Sequence, residues 1–195
     1  MTDLSEINTR LMAGGVALLP TETVYGLACS AENSAAVDKI YAMKGRDFEK
    51  TLAVCVKNLV EAEKYGVFTP KALELAKAHW PGSLTLIVEA KNDLMIVESC
   101  FGETGDKLTI AFRCPDAVWR EHLTGPIALT SANRSGDEDC VSYEVAMETF
   151  GDALDASLMA EAPLSGMPST IVSTVSNKVK IFRHGSVKVA LCPQE

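Results

Sequence analysis

Leu4, Ile7, Leu11 and Met12 recur at helical spacing behind Asp3, and Gly14 and Gly15 follow as a stop. The chain is therefore read as opening on a helix, with a short apolar strand at 16–19 behind it. Asn33 or Ser34 can cap a second helix in which Val37, Ile40, Tyr41 and Lys44 lie on neighbouring turns, bringing Lys44 out at the C-terminal end. Residues 52–56 read as a buried strand. Thr69 and Pro70 supply an N-cap and a first-turn proline for a helix running to His79, which Trp80-Pro81-Gly82 ends. Residues 84–88 and 108–112 have strand character. In the second, Leu108, Ile110 and Phe112 share one face and Thr109, Ala111 and Arg113 the other, so Arg113 sits where the strand runs out. Further strands are predicted at 127–129, 170–175 and 179–182, and helices at 116–123 and 142–150. Strands alternating with helices predict an α/β layer fold. The short connection inside 170–182 requires some neighbouring strands to be antiparallel. No repeat, low-complexity tract or Gly/Ser/Pro linker divides the chain, so a single domain over 1–195 is expected.

Composition narrows the class. Hydrophobic residues make up 47% of the 195 and charged residues 23%, far from the signature of disorder. The longest apolar runs fall well short of the ~20 residues that span a bilayer, so no membrane segment is expected. The six cysteines form no Cys-x-x-Cys pair and the three histidines are scattered, so no metal site is predicted. Residues 1–8 are polar and slightly acidic, unlike a secretory leader, which makes the cytoplasm the expected compartment and reduced core thiols the expected state of the cysteines. With 18 basic and 26 acidic side chains the formal net charge is −8, so the surface as a whole repels nucleic acid and any RNA contact must be weak and local.

Four segments can carry chemistry. Pro20-Thr-Glu-Thr-Val-Tyr-Gly-Leu27 is read as a loop at the end of a buried strand, rich in hydroxyls and holding one carboxylate, Glu22. A hydroxyl-stabilised turn is its plainer reading. Lys44-Gly45-Arg46 places two cations on a glycine-flexible helix exit, where they can converge on a triphosphate or simply complement the helix dipole. It is not a Walker loop, so phosphate binding would depend on side chains. Thr130-Ser-Ala-Asn-Arg-Ser-Gly136 offers three hydroxyls, a carboxamide and an arginine, suited to phosphate oxygens or to Mg²⁺-bound water, or to an Asx turn. Ser169 and Thr170 open a strand, and Arg113 and Arg183 end two others. His79, His122 and His184 have no Ser or Cys partner at recognisable spacing and receive no catalytic role. Asp137–Asp139 reads as solvated surface.

Taken in order, Pro-Thr-Glu-Thr-Val-Tyr-Gly-Leu, Lys-Gly-Arg, Trp80-Pro-Gly-Ser-Leu-Thr85, Ser-Ala-Asn-Arg-Ser-Gly and Pro168-Ser-Thr-Ile-Val172 resemble the YrdC-like family of threonylcarbamoyl-AMP synthases over about 16–183. The resemblance implies a strongly twisted, open mixed α/β sheet, with helices packed on it and a concave, positively charged cavity. It implies a nucleotidyltransferase that joins L-threonine, bicarbonate and ATP into threonylcarbamoyl-AMP and pyrophosphate for tRNA modification. Mg²⁺ would be carried by the ATP phosphates, and a separate transferase complex would take the product. Carried over by position, Lys44, Arg46, Ser131, Asn133 and Arg183 would bind ATP. Thr23, Arg113, Ser169 and Thr130 would bind threonine, with Arg113 meeting its carboxylate as a two-point fork. No protein nucleophile is implied.

Asp47 stands where the family often has proline, Ser173 where an aspartate is common, and 160–166 replaces a usual Asp-Gly-Gly type turn. These departures leave open a paralogous carbamoyl-adenylate enzyme, and the family's association with double-stranded RNA leaves open a binding module. Longer family members carry a further C-terminal domain, which is not expected in this chain.

Overall fold

The computed structural model describes residues 3–45, 47, 50–92, 94–175 and 179–189. In chain order these form α1 (Leu4–Met12), β1 (Ala17–Pro20), β2 (Tyr25–Ser30), α2 (Ser34–Lys44), β3 (Ala53–Cys55), α3 (Leu59–Tyr65), β4 (Gly66–Val67), α4 (Pro70–His79) and β5 (Leu84–Ala90). There follow β6 (Phe101–Thr104), β7 (Lys107–Arg113), β8 (Ile127–Ser131), α5 (Tyr143–Phe150), β9 (Ala156–Ser157), β10 (Thr170–Ser173) and β11 (Lys180–Arg183). The helix starts are set by local capping. Asp3, Asn33, Thr69 and Ser142 each accept a backbone N–H from the first turn, and Gly45 closes α2 in the left-handed region at φ 57°.

All the strands join one sheet, in the order β11-β10-β5-β7-β3-β8-β2-β1-β9, with β4 added to β5 and β6 to β7. The sheet is mixed: β10 runs parallel to β5, β3 to β7 and β9 to β1, and the other pairs are antiparallel. The tie between β10 and β11 is antiparallel, as their short connection requires. One face carries Leu18, Leu27, Val54, Leu84, Leu86, Phe112 and Val172, packed against Val37, Ile40 and Tyr41 of α2 and Ala72, Leu75 and Ala76 of α4. Among the described residues the opposite face is covered at one end only, where Ile7 and Leu11 of α1 meet Ala17, Leu19, Ala28, Cys55 and Ile127.

Two expectations are corrected. Residues 116–123 form no α-helix but a 3-10 turn, Val118–His122, without a side-chain N-cap. Its Trp119 is drawn into the core, where the indole N–H donates to the Pro20 carbonyl at 2.6 Å, and that anchor outweighs helical continuation. The segment 20–27 is a loop only as far as Val24, and Tyr25 already starts β2, all six of whose residues are buried. A strand buried on both faces shows no alternation, so periodicity does not reveal it. The short strands β4, β6 and β9 and the helix α3 escape the sequence pattern as well. Of Leu108, Ile110 and Phe112, which share one face of their strand, Leu108 at its start is exposed and the other two are buried.

The end of β11 is fixed by close backbone approach. The Thr170 hydroxyl donates to the Val187 carbonyl at 2.8 Å and accepts from the Gly185 and Val187 amides. A Cβ on Gly185 would lie 2.1 Å from the Pro168 carbonyl oxygen and 2.6 Å from Thr170 N, so the crossing admits only glycine. This contact sets where Arg183 emerges. Gly185→Ala is expected to lose at least ~1–3 kcal/mol, read as a lower urea midpoint at unchanged slope. Unaltered stability would contradict the crossing.

Candidate functional site

The uncovered part of the second sheet face forms a cavity of about 240 Å³. Register explains its lining: Ile171 pairs with Thr85, Thr85 with Arg113, Ile87 with Ala111, Ala53 with Leu129 and Gly26 with Ser131, so these side chains emerge on one side. The floor is small and apolar at its centre, and polar groups gather at the strand ends. A Cβ at Gly26 would lie 2.7 Å from Leu129 Cδ1, so the floor cannot be raised there without displacing a neighbour.

Arg113, at the end of β7, is 8% exposed. Its Nη2 donates to Glu22 Oε1 at 2.9 Å and to Thr23 Oγ1 at 2.8 Å, while Nε is buried without a partner. Thr23 is fully buried and acts through Arg113 rather than on the cavity wall. The Thr21 hydroxyl donates to the Val24 carbonyl at 2.7 Å and lies 2.8 Å from Thr23 Oγ1, so its single proton is spent and Thr23 is the donor between them. A directed chain thus runs from Arg113 through Thr23 and Thr21 to Val24. Glu22 also accepts from Ser83 Oγ at 3.0 Å and from the Asp116 amide at 3.1 Å, which ties three loops to one carboxylate.

Across the cavity, Arg183 Nε donates to the Ser169 carbonyl at 2.9 Å and Nη2 to Ser169 Oγ at 3.1 Å. Ser169 Oγ is 2.8 Å from Thr85 Oγ1. The Arg183 side chain as a whole is exposed, but its partial removal from water lowers the guanidinium pKa from its ordinary value. Asp139 opposes that shift and Arg113 adds to it. Asp139 lines the cavity and is not simply solvated surface. Burial raises the nearby thiols, Cys55 to about 12 and Cys114 to about 11, so neither is a thiolate at neutral pH.

Lys44 is buried at the end of α2. Its ammonium donates to the Ser131 carbonyl, to the Asn133 carbonyl at 2.6 Å and to Asn133 Oδ1 at 3.1 Å. Ser131 Oγ donates to the same Oδ1 at 2.6 Å, and Asn133 Nδ2 donates to the Asp137 carbonyl at 2.7 Å. The Ser135 amide donates to the Lys44 carbonyl at 2.9 Å. The Lys44 charge therefore organises the 131–137 loop, an arrangement that dispersed sequence positions could not disclose.

Arg113, Thr130, Ser131, Ser169 and Arg183 thus converge on one cavity. Thr23, Lys44 and Asn133 stand behind its wall, and Arg46 lies outside the described residues. Glu22 is the residue that sequence reasoning left without a role, although it was the one carboxylate within a hydroxyl-rich segment.

An open mixed sheet with paired arginines and hydroxyls on its uncovered face defines the class of fold and site. The chain belongs to the Sua5/YciO/YrdC family, described as telomere recombination, which matches residues 9–185. The threonylcarbamoyl-AMP synthase of Mus musculus is 34% identical over 186 residues, covering 90% of this chain and 64% of the mouse protein. The putative threonylcarbamoyl-AMP synthase of Methanocaldococcus jannaschii is 29% identical over 193 residues, with 97% of this chain and 90% of that protein covered. The crystal structure of P. abyssi Sua5 complexed with L-threonine superposes with a TM-score of 0.82 at 28% identity, over 93% of this chain and 54% of that one. The chain thus spans a little under two thirds of the mouse relative and about half of the archaeal structure.

Lys44→Ala would leave buried carbonyls of the 131–133 loop without their donor. A loss of about 1–3 kcal/mol is expected, together with faster amide exchange in 131–137. Wild-type stability and exchange would show that the loop does not depend on this charge.

Proposed function

We propose that this chain is a nucleotidyltransferase that converts L-threonine, bicarbonate and ATP into threonylcarbamoyl-AMP and pyrophosphate, the activated group being destined for adenosine in tRNA. The observation that carries the reading is the meeting of two guanidinium groups, Arg113 and Arg183, with Ser169, Thr130 and Ser131 around one small cavity. It belongs to a family in which P. abyssi Sua5 has been solved with L-threonine.

In this reading the amine of threonine condenses with bicarbonate, losing water, to give a carbamate. A carbamate oxygen forms a bond to the α-phosphorus as the bond to pyrophosphate breaks. The chain supplies no nucleophile, since both the attacking and the leaving group belong to substrates. Its residues orient the two reactants and neutralise charge on the departing pyrophosphate.

Arg113, held by Thr23, meets the threonine carboxylate, and Ser169 and Thr130 face its polar groups. Arg183 and Ser131 hold the nucleotide, with Lys44 and Asn133 fixing the loop behind them, and Arg46 is assigned to the phosphates on the sequence resemblance alone. Mg²⁺ enters on the ATP phosphates as part of that substrate. The apolar floor of Ile87, Ala111 and Ile171 accommodates the uncharged portions of the ligands. No helix among the described residues is long and apolar enough to cross a membrane, and we place the reaction in the cytoplasm, upstream of a transferase complex that consumes the product.

The test is pyrophosphate release with Mg²⁺-ATP, bicarbonate and single amino acids. Release should require all three substrates and be fastest with L-threonine. Because a charge-assisted hydrogen bond contributes about 1.5–3 kcal/mol, Arg183→Ala should weaken ATP binding by about 10–100-fold and L-threonine binding much less. Release with no amino acid, or equal release with all of them, would remove the threonine assignment.

A further inference from the structure

Arg113 offers a ligand less than its charge suggests. A guanidinium has two edges that can grip a carboxylate at two points, one made by Nη1 with Nη2 and the other by Nε with Nη2. Nη2 belongs to both. Its two hydrogens are already taken, one by Glu22 Oε1 at 2.9 Å and one by Thr23 Oγ1 at 2.8 Å. Nε is buried, and Nη1 makes no hydrogen bond among the described residues. The two-point grip expected from sequence therefore has no free edge.

Neither occupant is placed to leave. Thr23 is fully buried, and its hydroxyl proton is committed to Thr21. Glu22 is held by Ser83 Oγ on the oxygen it shares with Arg113 and by the Asp116 amide on the other. Swinging Glu22 away would break bonds to three segments at once and leave a buried guanidinium without its counter-charge.

We infer that Glu22 is a positioning residue that restricts Arg113 to a single-point contact through Nη1, and so sets the cavity's selectivity against bare carboxylates. With its charge already balanced by Glu22, Arg113 holds a lone carboxylate weakly. A ligand that also reaches the Ser169 hydroxyl is retained, which describes an amino acid bearing further polar groups. This inference rests on the proposed amino-acid site for its physiological ligand, but its physical content concerns any carboxylate.

The experiment titrates acetate and L-threonine separately, at fixed ionic strength and by NMR, against four proteins: wild type, Glu22→Ala, Arg113→Lys and the double variant. Wild type should bind acetate weakly. Glu22→Ala frees Nη2 and should tighten acetate by about tenfold, the gain from one more charge-assisted hydrogen bond. The preference for L-threonine over acetate should fall accordingly. In the Arg113→Lys background, which has no fork, removing Glu22 should change acetate affinity far less, and this non-additivity marks action through Arg113.

A variant that merely loosens the fold would lose affinity, so a gain separates positioning from general support. Should Glu22→Ala fail to fold, Glu22→Gln keeps the shape and should move acetate affinity in the same direction by less. Unchanged or weakened acetate binding on removing the Glu22 charge overturns the inference, as does an equal gain in both backgrounds. Wild type that binds no L-threonine contradicts the proposed substrate instead, and the acetate comparison still decides the role of Glu22.

Discussion

A guanidinium cannot shed its charge, so burying one at the end of a central strand is costly unless the fold brings it an acceptor of opposite charge. Arg113 is in that position, and the turn between β1 and β2 is built to meet it. Thr21 closes that turn by bonding to Val24, Thr23 points its oxygen at Arg113, and Glu22 reaches over the turn to the guanidinium. The segment at 160–166 braces the turn: the Ser165 and Gly166 amides donate to the Glu22 and Thr23 carbonyls. Those contacts use backbone alone and so place few demands on the side chains there.

The cavity follows from incomplete coverage. A sheet of this size needs apolar cover on both faces, and α2 and α4 supply it on one. On the other, α1 and the Trp119 turn cover the β1, β2, β3 and β8 region and stop. What remains open is surfaced with Thr85, Ala53, Ala111 and Gly26 where a closed core would carry larger side chains. Small residues in the floor and arginines at the rim yield a site that can take a ligand with a polar end, without requiring a net basic protein.

Local signals were legible and long-range ones were not. The caps at Asp3, Asn33 and Thr69 bond within three residues of themselves, so sequence spacing discloses them. The position of Lys44 at the end of α2 was legible for the same reason. The direction of its ammonium was not, because its acceptors lie 87 and 89 residues away. Glu22 has partners 61, 91 and 94 positions distant, so nothing near it in sequence marks its role. A run of acidic residues such as 137–139 is usually solvated, whereas the bond from the Tyr25 amide to the Cys140 carbonyl draws the Asp139 end of the run to the cavity. The fully buried β2 lacks the alternation that would have announced it.

Two charged anchors, then, do different work on the same cavity wall: Lys44 shapes a loop from behind, and Glu22 limits what Arg113 can offer in front. The most direct test is a crystal structure of the chain with L-threonine bound. The account predicts the amino acid in the cavity between β5, β7 and β8, its carboxylate on Nη1 of Arg113, with Nη2 still within hydrogen-bond distance of Glu22 and Thr23. A ligand seated elsewhere, or an Arg113 fork turned from Glu22 to grip the carboxylate at two points, would contradict it.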